Sequence, residues 1–296
     1  TLAVLHRLCL RHGLIGPGVP SPQQSGEASS LQAVRLFERS LTRALADAQN
    51  STSVAYNLRA LRQCAEALRE RLSPEHWSLI DQVGERFSRE MLSVLARAES
   101  SEPLSDVLAT LNRVAVQLSA ITGAQTDRMT RDDGWRLLSV GRMVERLDML
   151  AHALALGFEA RLPETGEGFA LLLGLYDSTI TYRAQFQARR EVLPLLHLLV
   201  VDTDNPRALA WVARTMRERL RKLARHDLPW AEQVTAGLPL PEHWSLEQLC
   251  ERDEQGTYQH LLQALAGCSS AAQALSHELS RRLFSHVAQA DHSVWQ

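Results

Sequence analysis

The sequence predicts an all-α protein, a multi-helix bundle of two pseudo-symmetric helical halves, and three observations predict it. The chain carries 50 leucines against 18 valines and four isoleucines, with many alanines, arginines and glutamates, the residues that lose least side-chain freedom in a helix. From Leu31 onward apolar residues recur with a period near 3.6. No stretch sustains strand-like alternation over four or more residues. With 296 residues, 45% of them hydrophobic, the chain can bury a core as one large domain or two smaller ones, so disorder of the whole is excluded.

The elements follow in order. TLAVLHRLCLRHG reads as helix from its first residue, and without an initiator Met, so a preceding segment is expected. Residues 13–30 are rich in Gly, Pro and Ser with almost no large apolar side chain, which predicts a mobile connection. Residues 1–30 are thus expected to be a partial helix and linker. The helical domain would span 31–296, in halves of about 31–128 and 129–296. Helices are expected at 31–48, 52–72, 74–98 and 103–122, with Ser73 as N-cap and Pro74 at the first helical position. A long helix over 131–160 has Thr130 and Asp133 in capping-box spacing.

A turn at 162–168 precedes helices at 169–190 and 192–201, the latter interrupted at Pro194. Asp204 or Asn205 caps the next helix, with Pro206 at its first position, running to about Arg225. Residues 226–256 form a loop-rich stretch with three prolines, and helices at 257–266 and 269–289 complete the chain.

An internal echo underlies the expectation of two halves. Asn50–Arg62 superposes without gaps on Asn205–Arg217, pairing Ala55 with Ala210, Tyr56 with Trp211, Arg59 with Arg214 and Arg62 with Arg217. Both segments are followed by PEHWSL, at 74–79 and 241–246, the second interval being 12 residues longer.

Composition excludes much chemistry. Of the 32 basic residues only Lys222 is a lysine, against 34 acids, for a net charge of −2. A P-loop, a Schiff-base site or a lysine-rich phosphate surface would have to be built on Lys222 alone. The balanced charge argues against nucleic-acid binding. Four widely spaced cysteines without a CxxC pair read as idle thiols in a reducing cytoplasm. The longest apolar runs, 169–176 and 192–201, are far short of the roughly 20 residues that span a bilayer, so no membrane partner is expected. No histidine has Glu three residues earlier, as a di-iron bundle needs, and His277-Glu278 has Arg281 where a zincin has its second His. Cys9 and His12 share a helical face but form too small a set. No metal or cofactor is expected.

Three segments are denser in polar groups than a Leu-rich helix needs. In GWRLLSVGRMVERLD (134–148), Arg142, Glu145 and Arg146 fall at i, i+3 and i+4, which predicts an Arg-Glu-Arg ion network; it reads either as a register-fixing salt-bridge ladder or as a ligand site. In VDTDNPR (201–207), Asp202 and Asp204 precede a helix start carrying Arg207 and favour a cation or an arginine as partner. In DSTITYR (177–183), Asp177, Thr181 and Arg183 fall on neighbouring helical faces and suggest a hydrogen-bond network.

Together GWRLLSVGRMVERLDML, DSTITYRAQF and LLVVDTDNPRALAWVARTM resemble the successive motifs of the bacterial alpha-E domain family, over about residues 31–286. SVAYNLRALRQCAEALRERLSPEHWSLI resembles the family's first-half segment. Two departures stand out: the opening helix with its own Gly-Arg-x-x-Glu-Arg pattern is absent, and the first-half Asp-x-Asp-Asn-Pro pattern is reduced to Asp47-Ala-Gln-Asn50-Ser51. The resemblance implies a helical component found beside, or fused to, a circularly permuted ATP-grasp protein, sometimes with a transglutaminase-like protein. Such systems form amide bonds on small molecules or peptides. It implies ligand or partner binding by Arg142, Glu145, Arg146, Asp177, Tyr182, Arg183, Asp204, Asn205 and Arg207. Two alternatives stay open: a hydrolase or transferase using Glu145 with Asp202 or Asp204 as acid and base, and a helical scaffold without chemistry.

Overall fold

The computed structural model describes residues 2–22, 27–97, 104–187, 189–225 and 227–284. They are helical, with no strand among the described residues, and form two compact units that divide between Arg131 and Asp132.

The first unit runs α1 (Leu2–Arg11), α2 (Glu27–Ala46), α3 (Val54–Ala67), α4 (Pro74–Arg97) and α5 (Leu104–Asp127). α4 lies against both α3 and α5 because Ile80, Val83, Phe87, Met91 and Val94 recur every three or four residues and are buried. Ser73 caps α4 as expected, its hydroxyl oxygen accepting from the His76 N–H at 3.2 Å.

The predicted mobile connection is corrected over its first part. Ile15 is buried against Cys9 and Phe37, with Leu14 and Val19 beside them, and His6 Nε2 lies 2.8 Å from the Val19 carbonyl. A few apolar side chains suffice to fold residues 14–19 back; residues 23–26 lie outside the described residues. α2 begins at Glu27, ahead of the expected Leu31.

By length and composition α5 could cross a membrane, a test that a soluble protein's core helix also passes. Two of its three charged residues are paired, Arg113 with Glu90 at 2.7 Å and Asp106 with Arg97 at 3.2 Å.

The second unit runs α6 (Asp133–Glu159), α7 (Gly166–Leu175), α8 (Thr179–Phe186), α9 (Val192–Leu196), α10 (Leu209–Ala224), α11 (Leu228–Ala236), α12 (Leu246–Cys250) and α13 (Gln259–Leu283). α6 is the central helix, packed by α10 and α13 over fully buried Leu147, Ala151 and Leu154. Its cap is Asp132, accepting from the Trp135 N–H at 3.0 Å, rather than Thr130.

Four boundaries depart from the sequence reading. The helix expected over 169–190 breaks at 176–178, where Asp177 takes a left-handed φ of 45° and Tyr176 donates to the Leu150 carbonyl. Pro194 does not kink α9, because it occupies the first turn, where its missing N–H would be unpaired anyway. The irregularity lies just after it, in a π turn at His197–Val201 closed by the Asp202 N–H on the His197 carbonyl at 3.0 Å. The loop-rich 226–256 contains α11 and α12, and α13 is one helix where two were expected.

Candidate functional site

The turn before α10 is built by two side chains. Asp202 Oδ1 accepts from the backbone N–H groups of Asp204 at 2.8 Å and Asn205 at 3.1 Å. Asn205 Oδ1 in turn accepts from the Arg207 N–H at 3.1 Å, while its Nδ2 donates to the Leu198 carbonyl of the π turn at 2.9 Å. Asn205 is buried, and Ser178, 3.5 Å from that amide, is buried beneath it. The helix therefore starts at Leu209, four residues past Asn205, with Pro206 in the turn outside it.

This turn fixes Arg207, whose guanidinium donates to the Asp177 carboxylate. The left-handed backbone at Asp177, which Asp tolerates better than most residues, is part of what presents that carboxylate. Arg146 senses the charge of Arg207 and also that of Arg142, one turn earlier on α6. Arg142 and Arg146 are half-buried, and neither makes a hydrogen bond or ion pair among the described residues. Burial pushes both guanidinium pKa values down, and Arg146 is lowered further by Arg207 and then Arg142. The result is three neighbouring cations with a single carboxylate, exposed Asp177, paired to one of them.

The Alpha-E family, described as a predicted alpha-helical domain with a conserved ER motif, matches residues 5–284. The chain belongs to this family. Similar proteins include the uncharacterized protein Rv2567 of Mycobacterium tuberculosis and the uncharacterized protein Mb2597 of Mycobacterium bovis. Each is 24% identical over 179 residues, which are 60% of this chain and 20% of the relative. The chain thus matches about a fifth of the length of these curated relatives. No solved structure matches it significantly.

Of the six Glu-Arg dipeptides in this Alpha-E chain, Glu145-Arg146 is split by α6. Glu145 is exposed and lines a groove of about 370 Å³ with Asp148 of α6 and Gln273, Ser276 and His277 of α13. Arg146 belongs instead with Arg142 and Arg207. The expected Arg-Glu-Arg network is therefore corrected: spacing of three and four residues permits those pairs, but no such pair forms among the described residues and Glu145 lies exposed in the groove shared with α13. In the same groove Asp148 lies 3.3 Å from His152 Nδ1.

The remaining predicted residues separate. Asp177 and Arg207 meet across 30 positions of sequence. Tyr182 is buried edge-on to Phe169 at 5.4 Å and donates to the Arg189 carbonyl at 2.7 Å, so burial raises its phenol pKa. Arg183 is exposed, and the predicted Asp177–Thr181–Arg183 network is not formed because the chain turns between Asp177 and α8. Asp204 is exposed, and Asp202 is committed to backbone N–H groups. No hydrogen bond or ion pair joins Glu145 to either aspartate among the described residues, and neither lines its groove.

Ser178 and the Leu198 carbonyl, which anchor the Asn205 amide, escape the sequence reading, although DST after an apolar run is the signature of a turn and restart. Cys268 is buried, its thiol pushed up to about 12, and burial also raises Cys9 and Cys250, which makes them poor nucleophiles. Among the described residues no group of three or more His, Cys, Asp or Glu side chains is gathered as metal ligands would be.

Proposed function

We propose that this Alpha-E chain is a helical substrate- or partner-binding component of an amide-forming ATP-grasp system, and that it holds an anionic group through Arg142, Arg146 and Arg207. One observation carries the reading: Arg142 and Arg146, half-buried and one turn apart on α6, have no ion pair of their own, and Arg146 feels the charge of both Arg142 and Arg207. Partly desolvating like charges is unfavourable unless an opposite charge arrives, and a planar guanidinium fork suits a carboxylate or phosphate. Lys222, the only lysine, is exposed near the end of α10, so phosphate activation is left to the partner. The partner's identity rests on the motif resemblance, with the greater length of the relatives in support.

Calorimetric titration of the whole chain with its ATP-grasp protein tests this. Saturable binding is expected, weakened about tenfold or more by Arg142→Gln with Arg146→Gln, since each lost charge-assisted hydrogen bond is worth about 1.5–3 kcal/mol. Absence of heat at high micromolar concentration, or equal affinity in the double variant, contradicts it.

A further inference from the structure

A second cationic place lies between α7 and α8, away from Arg142 and its neighbours in the pocket lining, around a cavity of about 480 Å³. That volume is in the range of small-molecule sites, roughly 300–1,000 Å³. The floor is apolar, made by Phe169 and Leu173 of α7 and the ring of Tyr182 on α8. The rim carries Arg183, Arg189 and Arg190, and no carboxylate lines the cavity.

The rim is ordered by the fold. The Tyr182 hydroxyl donates to the Arg189 carbonyl, holding the segment after α8 beside the cavity. The Arg190 guanidinium rests on Gly166, so closely that a Cβ there would come within 2.4 Å of its Nη1. Gly166 is the first residue of α7, whose N-terminal end carries a partial positive charge, with Thr165 capping it by accepting from the Gly168 N–H at 3.0 Å. A cation placed there is repelled by the helix end. Glu167 in the first turn does not line the cavity, and none of the three arginine side chains makes an ion pair or hydrogen bond among the described residues. Positive charge is thus gathered beside an apolar floor with no carboxylate in the lining; Glu191, next to Arg190 in sequence, acts on the Tyr182 phenol but does not line the cavity.

We infer that this pocket takes a small carboxylic acid bearing one large apolar group, with the apolar group on Phe169, Leu173 and Tyr182 and the carboxylate between Arg183 and Arg190. An apolar floor with charge at only one end selects an amphipathic ligand over a polyanion, and the guanidinium fork matches a planar carboxylate. The inference stands apart from the Arg142–Arg146–Arg207 reading, because it uses different residues.

The test is calorimetry on the whole chain with N-acetyl-L-phenylalanine, its neutral C-terminal amide, acetate and inorganic phosphate. The acid is expected to bind one-to-one, with the amide about tenfold weaker for loss of the charge-assisted hydrogen bonds. In the Arg142→Gln, Arg146→Gln variant acetate and phosphate, lacking the apolar group, are expected to bind more weakly than the acid. Arg183→Gln with Arg190→Gln should bring the acid down to the level of the amide. Gly166→Ala, which favours the helix but displaces Arg190, should weaken the acid in the same sense. Arg142→Gln with Arg146→Gln should leave the acid's affinity unchanged, so failure here and failure of the first reading are told apart. Equal binding of acid and amide overturns the inference, as does no binding of the acid at millimolar concentration, its loss in the Arg142/Arg146 variant, or, in that variant, tighter binding of phosphate than of the acid.

Discussion

The turns that lead into α3 and α10 use the same device for different ends. In the first unit Asp47 Oδ1 accepts from the Gln49 N–H at 2.8 Å, Asn50 Oδ1 accepts from the Thr52 N–H at 3.0 Å, and the Asn50 amide reaches back to the carbonyls of Gly13 and Leu14. In the second unit Asp202 and Asn205 make the corresponding bonds, and the Asn205 amide reaches back to Leu198. Both helices start four residues after the asparagine. The turn therefore survives the loss of the second Asp and the Pro from the motif. What differs is its load: Thr52 occupies the place of Arg207, and Asn50 is half-exposed where Asn205 is buried. One local structure is only a turn in the first unit and carries an arginine toward Arg146 in the second.

The PEHWSL copies diverge in the same way. The first opens α4, with exposed Glu75 near Arg128 at 3.9 Å. The second forms a short 3₁₀ turn and the cap of α12, and its Glu242 pairs with buried Arg217 at 3.5 Å. Arg62, the counterpart of Arg217, binds Asp81 at 2.6 Å in a partly exposed pair.

The largest effect is expected at this last contrast. Arg217→Ala leaves Glu242 partly buried without its cation and should cost about 3 kcal/mol in urea unfolding, whereas Arg62→Ala should cost under about 1 kcal/mol. Equal costs would remove the distinction between the units. Next comes the turn: Asn205→Ala orphans a buried carbonyl and should cost about 1–3 kcal/mol, more than Asn50→Ala, as thermal unfolding would register. Smaller still, Arg142→Gln with Arg146→Gln should leave the melting temperature unchanged or slightly raised, since these cations lack internal partners. A clear drop would make them structural.

The smallest effect is a pH dependence confined to the first unit. His76 is 1% exposed with no hydrogen bond at Nε2, and burial, aided by the Arg128 charge, holds its pKa below the usual value of 6.5. The unfolded chain then takes up a proton near pH 6.5 that the folded chain refuses, so stability falls as pH drops below that value. His76→Gln should flatten this dependence in denaturation followed between pH 7.5 and about 5.5.

The long helices were legible because their apolar stripes run unbroken for many turns, as Ile80 to Val94 does in α4. The break at Asp177 was not, because leucines continue the helical period up to Leu175 and the interruption comes from a left-handed backbone that no periodicity encodes. The residue types of the site were legible as well. Arg142, Arg146, Asp177, Asn205 and Arg207 all stand out as polar groups in apolar surroundings. Their partnerships were not: sequence spacing gives adjacency on a helix, and it offered Glu145 as the obvious partner, while the contact of Asp177 with Arg207 depends on tertiary packing.

Arg142, Arg146 and Arg207 are proposed to form an anion site. Its most direct test is NMR of the arginine Nε–H resonances of the whole chain, titrated with succinate and with inorganic phosphate at constant ionic strength. Saturable shifts are expected at Arg142 and Arg146, shared by Arg207, and the Arg207→Gln variant should weaken them at the other two. Shifts that are uniform over all the arginines and do not saturate would contradict it.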